Sequence, residues 1–572
     1  MGRIPLLILA LAAVSGAPAL AQMPALVQGQ LQRIGPPRDG QQAAQTGTAR
    51  IRGRVTGADG APLRRAQVTV ISPEGAVRRM TTTDGNGRYE VAELPAGRYN
   101  VTVSKGGYVT MQAGQRRAFE AGTPLTVADG ETLANVDVVL ARGSVIAGRV
   151  TDEFGEPVAM AQVSAQRYRY MPGGERRLET VGVPFIMTDD LGQFRVYGLM
   201  PGEYVLSATV RNGGMGMMMA SASNEASEGF ATTYYPSTTN VSEAQPVIVS
   251  LGQETTVQIA MSTARLARVS GVAVNSDGKP LAGATLMMIT AEGGGMFSTA
   301  GARVEADGTF TINRVAPGDY VLQVAPMPGG ATQETGSLPI TVAGENLTDV
   351  RLTTNRGATL RGRVVFEGTA DRNGPFGPPR VMPQPANPGE RGPMMMAMRG
   401  PDAGLVQEDG SFTLEGLNGE MLLRVNAGPG WTVKQIVVDG QDVTDVPIDF
   451  TGARTLDDVR IVLTDKQTEL FGSVTDVDGR PVKDYVVVLL PHELREGVSP
   501  LRFTRTIRPD QQGAYRTRNL PAGRFVAVAV ESLEEGAEWD PEFQKRARDA
   551  GQVITIRAEQ SNTVDLKLAR GL

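Results

Sequence analysis

The chain has 572 residues, of which 56 are Lys or Arg and 61 are Asp or Glu, and its net charge is −5. This near balance, without a long basic run, is atypical of nucleic-acid-binding proteins, so we expect no nucleic-acid partner. The chain contains no cysteine and one histidine, His492. Zinc hydrolases take most of their metal ligands from His and Cys, so the residue inventory excludes that class of enzyme.

The N-terminus has the features of an export signal. Residues 1–21 contain Arg3, an apolar run and small residues before the expected cleavage point, which together are typical of a secretory signal peptide. No later run of about 20 apolar residues is present, so we expect no transmembrane segment after cleavage. Residues 22–47 are rich in Gln and Pro and are expected to form a flexible linker. The protein is therefore predicted to be exported, either periplasmic or extracellular.

From residue 48 onward one sequence pattern occurs five times. Each copy has an opening β run with a central glycine, an apolar strand, and a later turn followed by an aromatic residue. In every copy except the fourth, a turn carrying Gly and Pro follows the opening run. The central glycines are Gly53, Gly148, Gly271, Gly362 and Gly472. Their spacing of about 90 to 120 positions predicts a tandem array of small β domains with insertions.

Nine aromatic residues recur at matched positions of these copies. They could be platforms that stack on a ligand, but their apolar strand neighbours favour core packing. The first five lie a few positions after that later turn: Tyr89, Phe194, Phe310, Phe412 and Tyr515. The other four lie just after the next turn: Tyr99, Tyr204, Tyr320 and Phe525.

The copies define five predicted domains with short joints between them. Such joints leave little room for rotation, and five units placed end to end would make a rod. We expect repeat 4 to be divergent, with a Met-, Pro- and Gly-rich insertion over residues 368–403. The boundaries are residues 48–142 for repeat 1, 143–265 for repeat 2, 266–356 for repeat 3, 357–466 for repeat 4 and 467–572 for repeat 5.

These motifs resemble the carboxypeptidase regulatory-like domain, a transthyretin-like β-sandwich also described as a carbohydrate-binding-like fold. The segment "TTTDGNGRYEVAELPAGRYNVTV" and its four counterparts carry the resemblance. It implies an all-β fold of five Ig- or transthyretin-like sandwiches, and it implies an accessory module in many functional settings. The zinc-binding catalytic domain of the peptidases has no counterpart here, so the resemblance supplies no catalytic residue.

Aromatic residues outside the repeat pattern are the candidates for ligand binding. Sugars stack on exposed aromatic rings that have polar neighbours. Trp431 lies in "AGPGWTVKQ", which is compatible with a loop tip or with a cap on the core, and Tyr234 and Tyr235 lie in repeat 2. We name these three residues as candidate ligand-binding residues, and we expect no catalytic residues, no metal ligands and no cofactor.

Three further features have simpler interpretations. Two methionine clusters, Met215–Met219 and Met394–Met398, are expected to lie in mobile loops that bind no ligand, with partner contact as the next alternative and Cu(I) as the weakest. The segment from Trp539 to Gly551 predicts a short docked helix, capped by Asp540 with Pro541 at its first position and with Phe543 and Ala547 facing the sandwich. Asp-rich turns that could hold calcium are better explained as ordinary turns.

The sequence favours an exported, non-catalytic binding protein with carbohydrate or another cell-envelope ligand, such as a polysaccharide or envelope glycan, as its partner. The alternative is a structural or adhesive scaffold that contacts protein partners through its loop insertions. A hydrolase is least favoured, because His492 has no nucleophile motif near it.

Overall fold

The computed structural model describes residues 46–72, 77–117, 119–182, 186–210, 228–290, 300–324, 334–372, 377–386, 403–428, 430–452 and 454–572. The predicted signal peptide, the linker up to residue 45 and both methionine clusters lie outside these residues. The described part of the chain is built from β-strands, as expected from the sequence, and belongs to one compact unit, Gln45–Leu572. No helix within these ranges is long and apolar enough to cross a membrane.

Repeat 1 forms two sheets around one apolar core. Its strands are β1 (Ala49–Gly57), β2 (Gln67–Ile71), β3 (Arg78–Thr82), β4 (Arg88–Leu94), β5 (Gly97–Ser104), β6 (Met111–Gln112), β7 (Leu125–Val127), β8 (Thr132–Leu133) and β9 (Val138–Leu140). In one sheet, β1 pairs with β4 in antiparallel fashion and with β8 and β9 in parallel. In the other, the order is β3-β2-β5-β6, and β7 also pairs with β5.

Repeat 2 has the same arrangement with extra strands. Its strands are β10 (Ser144–Thr151), β11 (Ala161–Tyr170), β12 (Arg176–Thr180), β13 (Ile186–Met187), β14 (Gln193–Leu199), β15 (Gly202–Val210), β16 (Glu228–Phe230), β17 (Thr233–Tyr234), β18 (Val247–Val249), β19 (Glu254–Ala260) and β20 (Thr263–Arg265). The sheets are β14-β10-β19 and β12-β11-β15-β17, with β13 beside β11 and β18 beside β15. A small additional sheet pairs β16 with β20.

Repeat 3 is the simplest copy. Its strands are β21 (Ala267–Val274), β22 (Thr285–Thr290), β23 (Ala300–Arg303), β24 (Thr309–Val315), β25 (Gly318–Val324), β26 (Gly336–Val342) and β27 (Leu347–Thr353). They form the sheets β24-β21-β27 and β23-β22-β25-β26. The opening strand again lies between an antiparallel neighbour and a parallel last strand.

Repeat 4 diverges in the arrangement of its sheets, in line with its divergent sequence. Its strands are β28 (Ala358–Glu367), β29 (Arg380–Pro385), β30 (Ser411–Leu417), β31 (Glu420–Asn426), β32 (Thr432–Val438), β33 (Gln441–Asp442), β34 (Ile448–Asp449) and β35 (Thr455–Thr464). The sheet of the opening strand is widened to β30-β28-β35-β32-β33, and the facing sheet is β29-β31-β34.

Repeat 5 adds the predicted helix. Its elements are β36 (Glu469–Thr475), β37 (Pro481–Val482), β38 (Val486–Pro491), β39 (Arg505–Ile507), β40 (Ala514–Arg518), β41 (Gly523–Val530), α1 (Pro541–Ala550), β42 (Gln552–Ile556), β43 (Ser561–Thr563) and β44 (Leu566–Lys567). The first sheet is β37-β36-β40, with β43 and β44 also beside β36, and the second is β39-β38-β41-β42.

Helix α1 confirms the sequence prediction. The side chain of Asp540 accepts a hydrogen bond from the amide of Glu542 at 3.0 Å, and Pro541 occupies the first helical position. Phe543 and Ala547 are buried against the outer face of β38 and β41. Both faces of that sheet are therefore covered, which explains why all six residues of β38 are buried and why its sequence is continuously apolar.

A steric clash explains why each opening strand has a glycine at its centre. In repeat 1, a Cβ added to Gly53 would stand 1.9 Å from the carbonyl oxygen of Val136, which runs alongside it. Gly53 also lies directly opposite Tyr89 on β4. The other four repeats show the same clash, at 1.8 to 2.2 Å from the oxygens of Val257, Val350, Val459 and Val564. Any side chain here would push the parallel strand away, so only glycine fits.

The nine repeated aromatic residues are buried in their sandwiches, which confirms the core interpretation. The hydroxyl groups of the five tyrosines among them donate to backbone carbonyls. Tyr89 donates to the Val136 oxygen at 2.7 Å, beside the glycine clash point. Tyr99, Tyr204 and Tyr320 each donate to the carbonyl four residues earlier, in the preceding turn, at 2.6 to 2.9 Å. Tyrosine therefore fixes the turn as well as filling the core.

Candidate functional site

The structure places Trp431 in the core of repeat 4. Its side chain is 6% exposed, and its indole nitrogen donates to the carbonyl oxygen of Asp371 at 2.9 Å. Its ring meets Phe366 edge to face, with the centroids 4.9 Å apart. Trp431 is thus a cap on the core, one of the two arrangements that the sequence allowed, and it presents no free ring face to a sugar.

Tyr234 and Tyr235 lie in repeat 2, in a different core from Trp431. Tyr234 is on β17 and is 9% exposed. The amide of Tyr235 donates to the Leu206 carbonyl at 3.0 Å, and its ring is half-buried against the core. The structure therefore brings the two tyrosines together as chain neighbours but does not bring Trp431 to them.

Tyr235 lines an open groove of about 1040 Å³ on repeat 2. Tyr235 and Pro236 form one apolar wall. Among the other lining residues, Arg195 pairs with Glu254 at 3.1 Å, and Arg149 also lines the groove. An aromatic wall beside charged and amide side chains is the combination that a sugar site uses.

A second cavity of about 290 Å³ lies between repeats 4 and 5. Here Asp445 of repeat 4 accepts a hydrogen bond from Arg502 of repeat 5 at 2.9 Å, and Arg424 lies 3.8 Å from its other oxygen. Burial raises the pKa of Asp445 above its ordinary value, although both arginines oppose that shift. Burial also lowers the pKa of Arg424. The amide of Ser499 donates to the Asp445 carbonyl at 2.7 Å, so this group joins the two repeats.

The clearest unpredicted feature is a joint centred on Phe119. This residue belongs to repeat 1 and has a positive φ of 62°. Its carbonyl oxygen accepts a hydrogen bond from the amide of Glu535 in repeat 5 at 2.9 Å. Its ring lies 3.6 Å below the guanidinium carbon of Arg167 in repeat 2. Phe119 of repeat 1 therefore contacts both repeat 2 and repeat 5, and we call this group the Phe119 joint.

Ion pairs surround the Phe119 joint. Arg167 pairs with Glu534 at 3.0 Å, and Arg169 pairs with Glu535 at 2.8 Å. Burial alone would lower the pKa of Arg169, but the charges of Glu535 and Glu179 raise it above its ordinary value. Each pair connects a strand of repeat 2 with the loop before α1 in repeat 5.

Further contacts connect repeats 1 and 5 directly. The side chain of Gln511 exchanges two hydrogen bonds with the backbone of Thr126, at 3.0 and 3.2 Å. Arg116 pairs with Asp484 at 3.1 Å. Units joined only to their chain neighbours, as in the expected end-to-end rod, would not make these contacts, so that expectation was wrong. The cause is docking between segments about 400 positions apart, which no local pattern reveals.

The described residues contain no group of three or more His, Cys, Asp or Glu side chains placed to hold a metal ion. The Nδ1 atom of His492 lies 3.5 Å from Glu493, its chain neighbour.

The family comparison follows the repeat pattern. Residues 50–141 and 268–353 match the model of the carboxypeptidase regulatory-like domain. These two segments are therefore similar to that domain. They correspond to repeats 1 and 3, and repeats 2, 4 and 5 keep the same central glycine and opposing aromatic residue.

Solved structures of several kinds share weak similarity with the chain. The Bacillus anthracis TIE protein is 11% identical, with 70% of this chain and 69% of that one covered and a TM-score of 0.14. A streptococcal ancillary pilin is 13% identical, with 54% and 98% covered and a TM-score of 0.19. Catechol 1,2-dioxygenase from Acinetobacter sp. ADP1 is 15% identical, with 18% and 55% covered and a TM-score of 0.13. Such values say nothing about function. No curated protein matches the chain.

Proposed function

We propose that the chain is an exported, non-catalytic scaffold of five carboxypeptidase regulatory-like sandwiches, located in the periplasm or outside the cell, that acts by contacting protein partners. The observation that carries the proposal is the Phe119 joint, in which one residue of repeat 1 contacts repeats 2 and 5. A protein that only needed separate binding modules would gain nothing from docking its first and last repeats together. A scaffold needs its surfaces at fixed positions.

The boundaries of the five sandwiches are part of this proposal. Two sheets per repeat, a central glycine facing a carbonyl oxygen and an opposing aromatic residue recur between residues 48 and 572. The burial of Trp431 and Tyr234 supports the scaffold over the sugar-binding alternative, because neither ring has a free face for stacking.

Carbohydrate or envelope-glycan binding stays as the second candidate because of the groove on repeat 2. Tyr235 and Pro236 supply the apolar wall, and Arg195 and Glu254 supply groups that can bond sugar hydroxyls. A glycan site of this kind would lie on one repeat alone, so glycan binding would not depend on the Phe119 joint.

Binding of the purified protein to a panel of polysaccharides and cell-wall glycans separates the two candidates. The scaffold proposal predicts no saturable binding across the panel. Saturable binding that is lost in Tyr235→Ala and kept in Tyr168→Ala, an exposed tyrosine elsewhere on repeat 2, would replace the scaffold with the glycan-binding candidate.

Cross-linking in the living cell tests the scaffold proposal directly. We expect discrete protein adducts that are reduced in Phe119→Ala, since this change frees the repeats without removing any outer surface. If the same adducts form in full with Phe119→Ala, fixed positioning is not what the partners require.

A further inference from the structure

The cavity between repeats 4 and 5 carries a surplus of positive charge. Its cationic lining residues are Lys434, Lys466, Arg495 and Arg502, and its anionic ones are Asp442, Asp445 and Glu559. Two further arginines stand beside this lining. Arg424 lies 3.8 Å from Asp445, and the charges of Arg502 and Asp445 both act on Arg505. With these two included, the cations of the joint clearly outnumber its carboxylates.

The three carboxylates of the cavity already have partners. Asp442 accepts hydrogen bonds from the amide and the hydroxyl of Thr444, at 3.0 and 2.6 Å. Asp445 accepts one from Arg502 at 2.9 Å. Glu559 is shared by the two lysines of the cavity, at 3.6 and 3.7 Å. The remaining arginines therefore have no carboxylate of their own.

Three arginines of this joint lack a hydrogen-bonded carboxylate. Arg424 donates to backbone carbonyls at 3.0 and 3.2 Å, and Arg505 does so at 2.6 and 3.2 Å. Within the described part of the chain, no carboxylate oxygen lies within 4.0 Å of Arg495 or Arg505. Burial, and after it the charge of Arg502, lowers the pKa of Arg505 below its ordinary value. Partly buried cations with too few counter-charges are costly, and a bound anion would offset that cost.

Two buried polar atoms of the joint have no hydrogen-bond partner among the described residues. They are Oδ1 of Asp445 and Nη2 of Arg424, which lie 3.8 Å apart. The first is an acceptor and the second a donor. Buried polar groups are nearly always paired, so these two atoms call for a third group that has both a donor and an acceptor. Inorganic phosphate at neutral pH has both, because it keeps at least one proton, whereas sulfate has acceptors alone.

We propose that the cavity binds inorganic phosphate and that the bound anion ties repeat 4 to repeat 5. The unprotonated phosphate oxygens accept hydrogen bonds from the arginines, whose planar forks suit this group. The phosphate hydroxyl donates to Asp445. The cavity, at about 290 Å³, has room for an anion of this size, and it lies at a domain boundary, where ligand sites are common. The phosphate site is separate from the partner contacts of the proposed function.

Isothermal titration calorimetry of the purified protein with sodium phosphate at pH 7 tests the proposal. We expect saturable binding that is at least about tenfold tighter than the binding of sulfate at equal ionic strength, because sulfate leaves the Asp445 oxygen without a donor. Glycerol phosphate presents the same group from a larger molecule. It is expected to bind more weakly, since the ester adds bulk inside the cavity, and tighter binding of the ester would overturn inorganic phosphate as the ligand.

A double variant and a matched control locate the site. Arg495→Gln with Lys466→Gln removes two exposed cations of the cavity wall, and we expect phosphate to bind at least about fivefold more weakly. Arg480→Gln with Lys545→Gln removes the same charge from exposed positions of repeat 5 outside the cavity and should leave phosphate binding unchanged. Circular dichroism checks that both variants are folded.

The variant Asp445→Asn tests the role of the unpaired oxygen. An amide can donate a hydrogen bond as well as accept one, so we expect this variant to bind sulfate as tightly as phosphate. The proposal is overturned if the natural chain shows no saturable phosphate binding up to about 10 mM, or if it binds sulfate as tightly as phosphate. It is also overturned if the variant of Arg495 and Lys466 binds phosphate as the natural chain does.

Discussion

The guanidinium carbon of Arg167 lies 3.6 Å from the centroid of the Phe119 ring, across the boundary between repeats 2 and 1. The same arginine pairs with Glu534 of repeat 5 at 3.0 Å. One side chain thus connects three repeats that are far apart in sequence. The cation over the ring and the ion pair also support each other, since both hold the guanidinium in one orientation.

Replacing Arg167 with alanine should loosen the joint. A cation over an aromatic ring contributes about 1 kcal/mol when partly buried, so local opening should become about fivefold more frequent. Hydrogen exchange of the Glu535 amide, which bonds to the Phe119 carbonyl, measures this opening. Arg176→Ala is the control, because Arg176 covers Tyr168 at 4.3 Å within repeat 2 alone. Equal exchange in both variants would show that Arg167 does not hold the joint.

The glycine of the opening strand offers a sharper test of the sandwich. In Gly53→Ala the new Cβ would stand 1.9 Å from the Val136 oxygen, so the parallel strand must move. Overpacking of this kind costs about 1 to 3 kcal/mol, and we expect repeat 1 to unfold at lower temperature in calorimetry. In Gly85→Ala, a Cβ would meet no atom within 4 Å, so the unfolding temperature of repeat 1 should not change. Similar shifts in both variants would contradict the steric explanation.

Much of the sandwich could be predicted from the sequence because its determinants are local and repeated. Gly53 and Tyr89 recur in register in every copy, and the structure pairs them directly across two strands. The helix signals around Asp540 and Phe543 were equally local and were confirmed.

The joint and the candidate site could not be predicted in the same way. Phe119 lies in a loop with no repeat counterpart, and its partner Glu535 is distant in sequence, so neither residue carries a local signal. For Trp431, nearby glycines allowed both a loop tip and a core cap. The contacts of Trp431 with Phe366 and Asp371, which lie 60 or more positions away in the sequence, distinguish the two.

The turn tyrosines should contribute measurable stability through their hydroxyl groups. In Tyr99→Phe, the Pro95 carbonyl loses a donor at 2.7 Å while the ring stays in place. Loss of one such hydrogen bond costs about 1 kcal/mol, which calorimetry of repeat 1 should detect. The same change at Tyr168, whose ring is 40% exposed, should have no effect. An unchanged transition in Tyr99→Phe would mean that water replaces the hydroxyl without loss.

Glu334 makes the stability of repeat 3 depend on pH. Burial would raise the pKa of Glu334, but hydrogen bonds from Ser276 and Thr354 and the charge of Arg356 hold it below the ordinary value of 4.5. The unfolded chain therefore takes up the proton at higher pH than the folded chain does. The stabilisation is complete above pH 4.5 and is lost as the pH falls through the folded pKa.

The variant Glu334→Gln isolates this effect. At pH 7 it should lower the unfolding temperature of repeat 3, and the difference from the natural chain should shrink as the pH drops below 4.5. Calorimetry across this range gives the measurement, with Glu345→Gln, an exposed neighbour, as the control. A difference that stays constant down to low pH would show that the charge of Glu334 is not responsible.

The most direct test of the account is the distance between repeats 1 and 5. The chain has no cysteine, so Asn86→Cys with Asp478→Cys places two spin labels without competition from natural thiols. Double electron–electron resonance should give a single narrow distance distribution in the natural background and a broad one when Phe119→Ala is added. A broad distribution in the natural background would contradict a fixed arrangement of the repeats and with it the scaffold.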